Sequence, residues 1–205
     1  MSHYFINDKN LAENRKEISF RFLARSFTFI SDDGVFSKDE LDGGTRILLE
    51  TILKNTLKTK VLDMGCGYGP VGVLLKTFQP QIEVTMLDVN ERAVELSKLN
   101  VKRFDMDHRV LLSDVYSAVE SETFDEIITN PPIRAGKVVI YKIFKEAFVH
   151  LNDGGRLWVV IRKNHGAKSA VNEIRSIFGN CEILEKEKGF YVLMAQKWID
   201  ILPKD

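Results

Sequence analysis

The sequence predicts an α/β fold, a mostly parallel sheet with helices between its strands, one antiparallel strand at its end and a small β/helix extension at its start. Three observations carry this. From Lys60 onward, short apolar runs alternate with longer helix-like segments, as βαβ units require. The last two apolar runs, in CEILEKEKGFYVLMAQK, surround KEKG with no helix between them, which predicts a terminal hairpin. The first parallel-type run leads into VLDMGCGYGPVG, a glycine turn that opens a helix.

Taken in order, residues 18–30, ISFRFLARSFTFI, alternate apolar and polar on either side of LARS and read as a half-buried hairpin. GGTRILLETILKN then has helical spacing, with Thr45 or an adjacent residue as N-cap. The strands KVLDM, EVTML, HRVLLS, FDEIIT and RLWVVI follow, with helices expected at 70–79, 91–103, 137–150 and 166–178. Pro70 suits the first turn of its helix. No Pro/Gly/Ser linker or repeat divides the chain. One domain over 1–205 is expected, with an extension at 1–55 and a core at 56–205.

The 205 residues are long enough to bury a full core, and 44% hydrophobic with 28% charged residues is the composition of an ordinary globule. Lys plus Arg equals Asp plus Glu, 29 each, so global charge points to neither nucleic acid nor membrane, and any basic surface must be local. Cys66 and Cys181 stand far apart, which argues against a disulfide framework. The N-terminus has no apolar signal core and no run reaches the ~20 apolar residues of a membrane span, so a cytoplasmic protein is expected. The histidines at 3, 108, 150 and 165 lack zinc-site spacing, and no metal is expected.

Glycines 65, 67 and 69 let the backbone turn tightly and approach a ligand. Asp88 ends the next strand about 20 residues on, where a carboxylate accepts ribose hydroxyls. Gly67, Gly69 and Gly72 also match G-x-G-x-x-G, so a nicotinamide-dependent oxidoreductase has to be weighed. Against it stands Asp63, which would meet a pyrophosphate as a like charge but attract an ammonium. An adenosine ligand with an ammonium in place of phosphates is S-adenosylmethionine. Asp114, after the third strand, is placed to accept the adenine amino group, or else to cap the turn that follows.

In TNPPIRAGK the prolines stop the strand FDEIIT and stiffen the backbone beyond it. Asn130 offers an amide there, and the Asn130 and Pro131 carbonyls have no helix to satisfy them. The corner is either a grip for a planar amino group or a plain strand-ending turn.

With these motifs in this order, the chain resembles a class I S-adenosylmethionine-dependent methyltransferase with a Rossmann-like core, and in particular the single-domain form of the small-subunit ribosomal RNA guanine-N2 methyltransferase family. The resemblance runs from FTFISDDGVFS and LDGGTRILLE through VLDMGCGYG and TNPPIRAGK to the terminal hairpin. It implies a seven-stranded sheet with its last strand antiparallel. It also implies that Asp63, Gly65, Cys66, Gly67 and Gly69 line the methionine end of the cofactor, Asp88 and Val89 the ribose, Asp114 and Val115 the adenine, with Asn130 reaching both cofactor and target. Asn130, Pro131, Pro132 and Ile133 would form the target-amine pocket. Ile133 stands where many such enzymes place an aromatic residue, so Phe36 is the candidate to cover the base, unless it is a core residue. An acceptor role for Asn130 implies that Asn130→Asp retains more activity than Asn130→Ala.

An RNA partner needs phosphate contacts. Arg134 and Lys137 in IRAGK, and Arg162, Lys163, His165 and Lys168 in IRKNHGAK, follow strands on the same sheet edge and supply candidates. Adenine N6 or a protein glutamine amide would also suit the NPP corner, and a binding protein that keeps the fold without catalysis is a further alternative.

Overall fold

The computed structural model describes residues 14–33, 35, 40–132 and 135–198. Its first element is the expected hairpin, β1 (Lys16–Phe22) and β2 (Arg25–Ser31), paired antiparallel from Lys16↔Ser31 to Phe22↔Arg25. Leu23 and Ala24 make the turn with φ of 43° and 63°. A two-residue hairpin needs that left-handed backbone, usually from Asn or Gly. Here burial fixes the register instead: Phe22 and Phe27 pack on Phe78, and Phe29 on Tyr68 and Phe104.

Helix α1 (Gly43–Ile52) is capped by Asp42, whose Oδ2 accepts the Thr45 N–H at 2.8 Å. This corrects the expectation that Thr45 or its neighbour is the cap. The helix begins two glycines earlier, and the aspartate satisfies an N–H that Thr45 itself exposes.

The core sheet is built from β3 (Lys60–Met64), β4 (Glu83–Asp88), β5 (Arg109–Leu112), β6 (Phe124–Thr129), β7 (Leu151–Arg162), β8 (Glu182–Glu187) and β9 (Phe190–Gln196). Their order is β5-β4-β3-β6-β7-β9-β8, and β9 runs antiparallel to both neighbours. This is the Rossmann-like arrangement expected. Helices α2 (Pro70–Phe78), α3 (Glu91–Arg103), α4 (Gly136–His150) and α5 (Ala167–Phe178) cover its faces. Strand alternation sorts the core into two layers. Val61, Met86, Ile128 and Trp158 face the hairpin and α1–α3, whereas Leu62, Leu87, Ile127 and Leu157 face α4 and α5.

Two boundaries differ from expectation. β7 starts at Leu151 rather than Arg156, because Leu151 pairs with Phe124 before a register shift at Glu126. Gly154, with φ of 72°, carries the chain through that irregularity. The last turn is Lys188–Gly189 alone, with φ of 47° and 80°, so Lys186 and Glu187 of KEKG belong to β8. Both cysteines are buried free thiols. Among the described residues no group of His, Cys, Asp and Glu is arranged to hold a metal, and no helix is long and apolar enough to cross a membrane.

Candidate active site

Strands β5, β4, β3, β6 and β7 run parallel and end at one edge of the sheet, and the chain beyond each carries an expected polar group. Met64 is in register with both Leu87 and Thr129, so Gly65, Asp88 and Asn130 leave the sheet side by side. Asp88 is in register with Leu112, and the Ser113 N–H donates to the Asp88 carbonyl at 2.9 Å, which sets Asp114 next in line. Along the edge the order is Asp114, Asp88, Gly65, Asn130, Arg162.

The glycine loop is tied to β4. Gly65 and Cys66 N–H both donate to the Leu87 carbonyl, at 2.8 and 2.9 Å. The Asp88 carboxylate accepts the Gly67 N–H on Oδ2 and the Asn90 N–H on Oδ1, each at 2.9 Å. Gly65 and Gly69 take φ of +79° and +96°, where a side chain would be strained. A Cβ at Gly65 would meet no described residue within 4 Å, so among the described residues the loop borders open space at the strand ends. Gly72 has a different task. A Cβ there would lie 2.9 Å from Met86 Sδ, so its absence lets α2 pack onto β4.

Asp63 is buried beneath this loop, accepts the Gly72 N–H at 3.1 Å and has no cationic partner among the described residues. Burial pushes its carboxyl up to about 7, against the lowering effect of the Gly72 N–H and with a further rise from the Asp88 charge. A carboxylate in that state favours a cation set beside it.

Cys66 buries its side chain under the glycine loop. Its thiol turns inward to Ser97 Oγ at 3.4 Å, and its carbonyl accepts the Gly69 N–H, so it shapes the loop from below. Burial and then the Asp88 and Asp63 charges push the thiol pKa well up, and it stays protonated. Val89, 41% exposed, offers an apolar surface beside Asp88. Val115 is buried, and its carbonyl accepts Ser113 Oγ–H at 2.7 Å, while Asp114 is exposed at the rim.

At the NPP corner, Thr129 Oγ1 donates to the Met64 carbonyl at 2.9 Å and locks the end of β6 to β3. The Asn130 amide then donates both of its hydrogens toward α1, to Asp42 Oδ2 and to Thr45 Oγ1, each at 3.0 Å. A carboxylate can only accept, so the NH₂ side of the amide must face Asp42. Oδ1 is thereby turned away from α1 and accepts from no described residue. Beyond it, the Pro132 carbonyl accepts the Ala135 N–H at 2.9 Å, while the Pro131 carbonyl takes no hydrogen bond from a described residue. The geometry bears on one expectation: Asn130→Asp would set a second carboxylate about 3 Å from Asp42, a like charge that works against the activity expected from keeping an acceptor.

Ile133, Arg134 and Phe36 lie outside the described residues. Lys137 is exposed on the first turn of α4 beside Val138, itself 85% exposed. Arg162 at the end of β7, and Lys163, His165 and Lys168 beyond it, are exposed. The Arg162 guanidinium sits 4.6 Å from the Phe190 ring, and that ring packs on Gly44 of α1. The second basic cluster therefore adjoins the α1 N-terminus that holds Asn130. Asp42 and Thr45 are the site residues that the sequence reading missed. The available signal was an aspartate three residues before Thr45 at the start of a helical pattern.

Comparison with known proteins matches the same region. The family model of the methyltransferase small domain fits residues 26–194. Bacillus subtilis YbxB is 42% identical over 197 residues, covering 95% of this chain and 98% of its own length. Ribosomal RNA small subunit methyltransferase C of Haemophilus influenzae is 41% identical over 139 residues, 66% of this chain but 42% of that protein. The chain thus spans less than half the length of that relative. Among solved structures, the Thermus thermophilus 16S rRNA N2 G1207 methyltransferase with AdoMet and guanosine superposes with a TM-score of 0.81 at 26% identity, over 89% of this chain and 50% of that one.

Proposed function

On the premise that this chain belongs to the methyltransferase small domain family, we propose that it methylates the exocyclic N2 amine of a guanine in small-subunit ribosomal RNA. The methyl donor is S-adenosylmethionine. The site's own chemistry fits that group: a buried carboxyl at Asp63 suits the ammonium, open space over Gly65 admits the methionine end, Asp88 sets a carboxylate at the neighbouring strand end where ribose hydroxyls would lie, and Val89 offers an apolar face. The same Asp63 disfavours the pyrophosphate of a nicotinamide cofactor.

One observation carries the target reading: Asn130 presents an acceptor whose orientation is fixed by its two donated hydrogen bonds. An exocyclic ring amine is a poor nucleophile because its lone pair is delocalised into the ring. In this reading Asn130 Oδ1 and the Pro131 carbonyl would accept its two hydrogens and turn the developing lone pair out of that conjugation. When bound, the cofactor would supply an electrophilic methyl group on a sulfonium that leaves as a neutral thioether, and the proton lost from the methylated amine would pass to water. The chain's contribution is alignment, which contributes up to roughly 7–11 kcal/mol in ideal cases. The names of two relatives, a small subunit ribosomal RNA methyltransferase and a 16S rRNA N2 methyltransferase, support RNA and guanine N2 over adenine N6 or a protein amide. A ribosomal RNA substrate would agree with the cytoplasmic location expected from the sequence.

The test is single-turnover transfer of labelled methyl to deproteinised and subunit-bound small-subunit RNA, with nucleosides identified by mass spectrometry. Asn130→Ala is expected to slow transfer by roughly 10²–10³, by analogy with a deleted oxyanion-hole donor, while S-adenosylhomocysteine affinity and thermal midpoint hold. Label in protein or N6-methyladenine would overturn the RNA guanine reading. A wild-type rate in Asn130→Ala would leave the NPP corner as a strand-ending turn.

A further inference from the structure

The amide of Asn130 is useful to a planar amine only if its oxygen faces the substrate, and nothing in its own torsions enforces that. A terminal amide rotates readily, and its two ends are nearly the same shape. In this structure the choice is made by residues 85 and 88 positions away in sequence, Thr45 and Asp42. Asp42 is itself immobilised. The Oδ2 atom that receives Asn130 Nδ2–H also accepts the Thr45 N–H at 2.8 Å as the cap of α1. The next turn is held from outside as well: a Cβ at Gly44 would lie 2.7 Å from the Phe190 ring and 3.0 Å from Asp42 Oδ2, so cap and ring close on the helix start without slack.

We propose that Asp42 and Thr45 are positioning residues for methyl transfer, acting through Asn130: they fix which end of its amide faces the target and, by accepting both N–H hydrogens, raise the acceptor strength of Oδ1. Hydrogen bonds in series polarise one another, and an ionised acceptor at one end strengthens the acceptor at the other. A flipped amide would bring Oδ1 against the Asp42 carboxylate, two acceptors with no proton between them, so the productive orientation is favoured before substrate arrives. This inference rests on the acceptor role proposed above for Asn130.

The two ideas separate in a double-mutant cycle. Thr45→Val removes one acceptor with little change of shape. Asp42→Ser retains a good helix cap but is too short to reach Asn130 as well. Each is measured alone and in the Asn130→Ala background, by single-turnover transfer to the same RNAs at saturating cofactor, with S-adenosylhomocysteine affinity measured alongside. Each single variant is expected to slow transfer roughly 10-fold, a coupling of about 1.4 kcal/mol, with cofactor affinity unchanged, and to have no further effect once Asn130 is alanine. The same fold-loss in both backgrounds would overturn the inference and leave a purely structural cap. A wild-type rate in Asn130→Ala would instead remove the reading on which it rests. Nitrogen-15 spectra of the Asn130 side chain give a readout independent of turnover. Its two protons are expected to be shifted downfield and slow to exchange with solvent in the wild type, and to move toward free-amide shifts and exchange faster in Asp42→Ser; equal shifts and exchange in both proteins would also overturn the inference.

Discussion

Asp63 and Asn130 show how differently two buried or half-buried polar side chains are put to use. Asp63 has one backbone hydrogen bond and no counter-charge among the described residues, and its carboxyl is raised to about 7. Below about pH 4 both folded and unfolded chains carry this proton, and the group is neutral in the balance. As pH climbs from there toward 7 the unfolded chain ionises first. The folded state of the ligand-free protein loses stability over that interval, and the loss levels off above about 7. A cation at the site reverses the preference, so binding below pH 7 must expel the proton. S-adenosylhomocysteine affinity is therefore expected to tighten between pH 5 and 7, with release of up to about one proton seen by calorimetry in buffers of different ionisation heat, and Asp63→Asn should flatten both. A pH-independent affinity in the wild type would mean that the ammonium lies elsewhere. The acidic strand ends and the NPP corner were legible because a strand pattern ending on a carboxylate or an amide is visible within a dozen residues. Asp42 and Thr45 were not, because their partner lies more than 80 residues on and only the folded sheet edge brings them to it.

At the scale of elements, the strands and helices of the core follow from periodicity, whereas the exact starts of α1 and β7 follow from single tertiary contacts. Local pattern located α1, but its start and cap were decided by which side chain reached the free N–H, and β7 was lengthened by a pairing of Leu151 with Phe124 that no local signal encodes. The α1 N-terminus illustrates the competition in energy. Replacing Gly44 by Ala would improve helix propensity by up to about 1 kcal/mol, but the new methyl would press on a rigid aromatic ring at 2.7 Å. Overpacking of that kind costs about 1–3 kcal/mol, so Gly44→Ala is expected to lower stability by about 1–2 kcal/mol in urea unfolding, and Phe190→Leu in the same chain should restore part of it. Stabilisation by Gly44→Ala alone would show that the ring moves aside freely and that the cap has slack.

For the whole molecule, a net formal charge of zero conceals an uneven rim. The edge of the sheet that carries the site runs from Asp114 and Asp88 at one side to Arg162, Lys163, His165 and Lys168 at the other, with Lys137 beside the NPP corner. If RNA is the substrate, as proposed, a polyanion approaching this edge would meet carboxylates on the cofactor side and cations on the far side, and its backbone would be drawn toward β7 and α4. Arg162 at the end of β7 stacks over Phe190 of β9, and that ring packs on α1, so the guanidinium is fixed relative to the helix start that holds Asn130. Each phosphate contact releases counterions and contributes about 0.7–0.9 to the log–log salt slope. Replacing Lys137, Arg162 and Lys163 together by Ala is expected to weaken binding of small-subunit RNA and to make that slope shallower by roughly 2 units, with S-adenosylhomocysteine affinity unchanged. Filter binding across a salt series reads this directly, and thermal melts check that the loss of the Arg162 contact has not loosened β9. An unaltered slope would place the RNA backbone on another face and leave these residues as solvated surface.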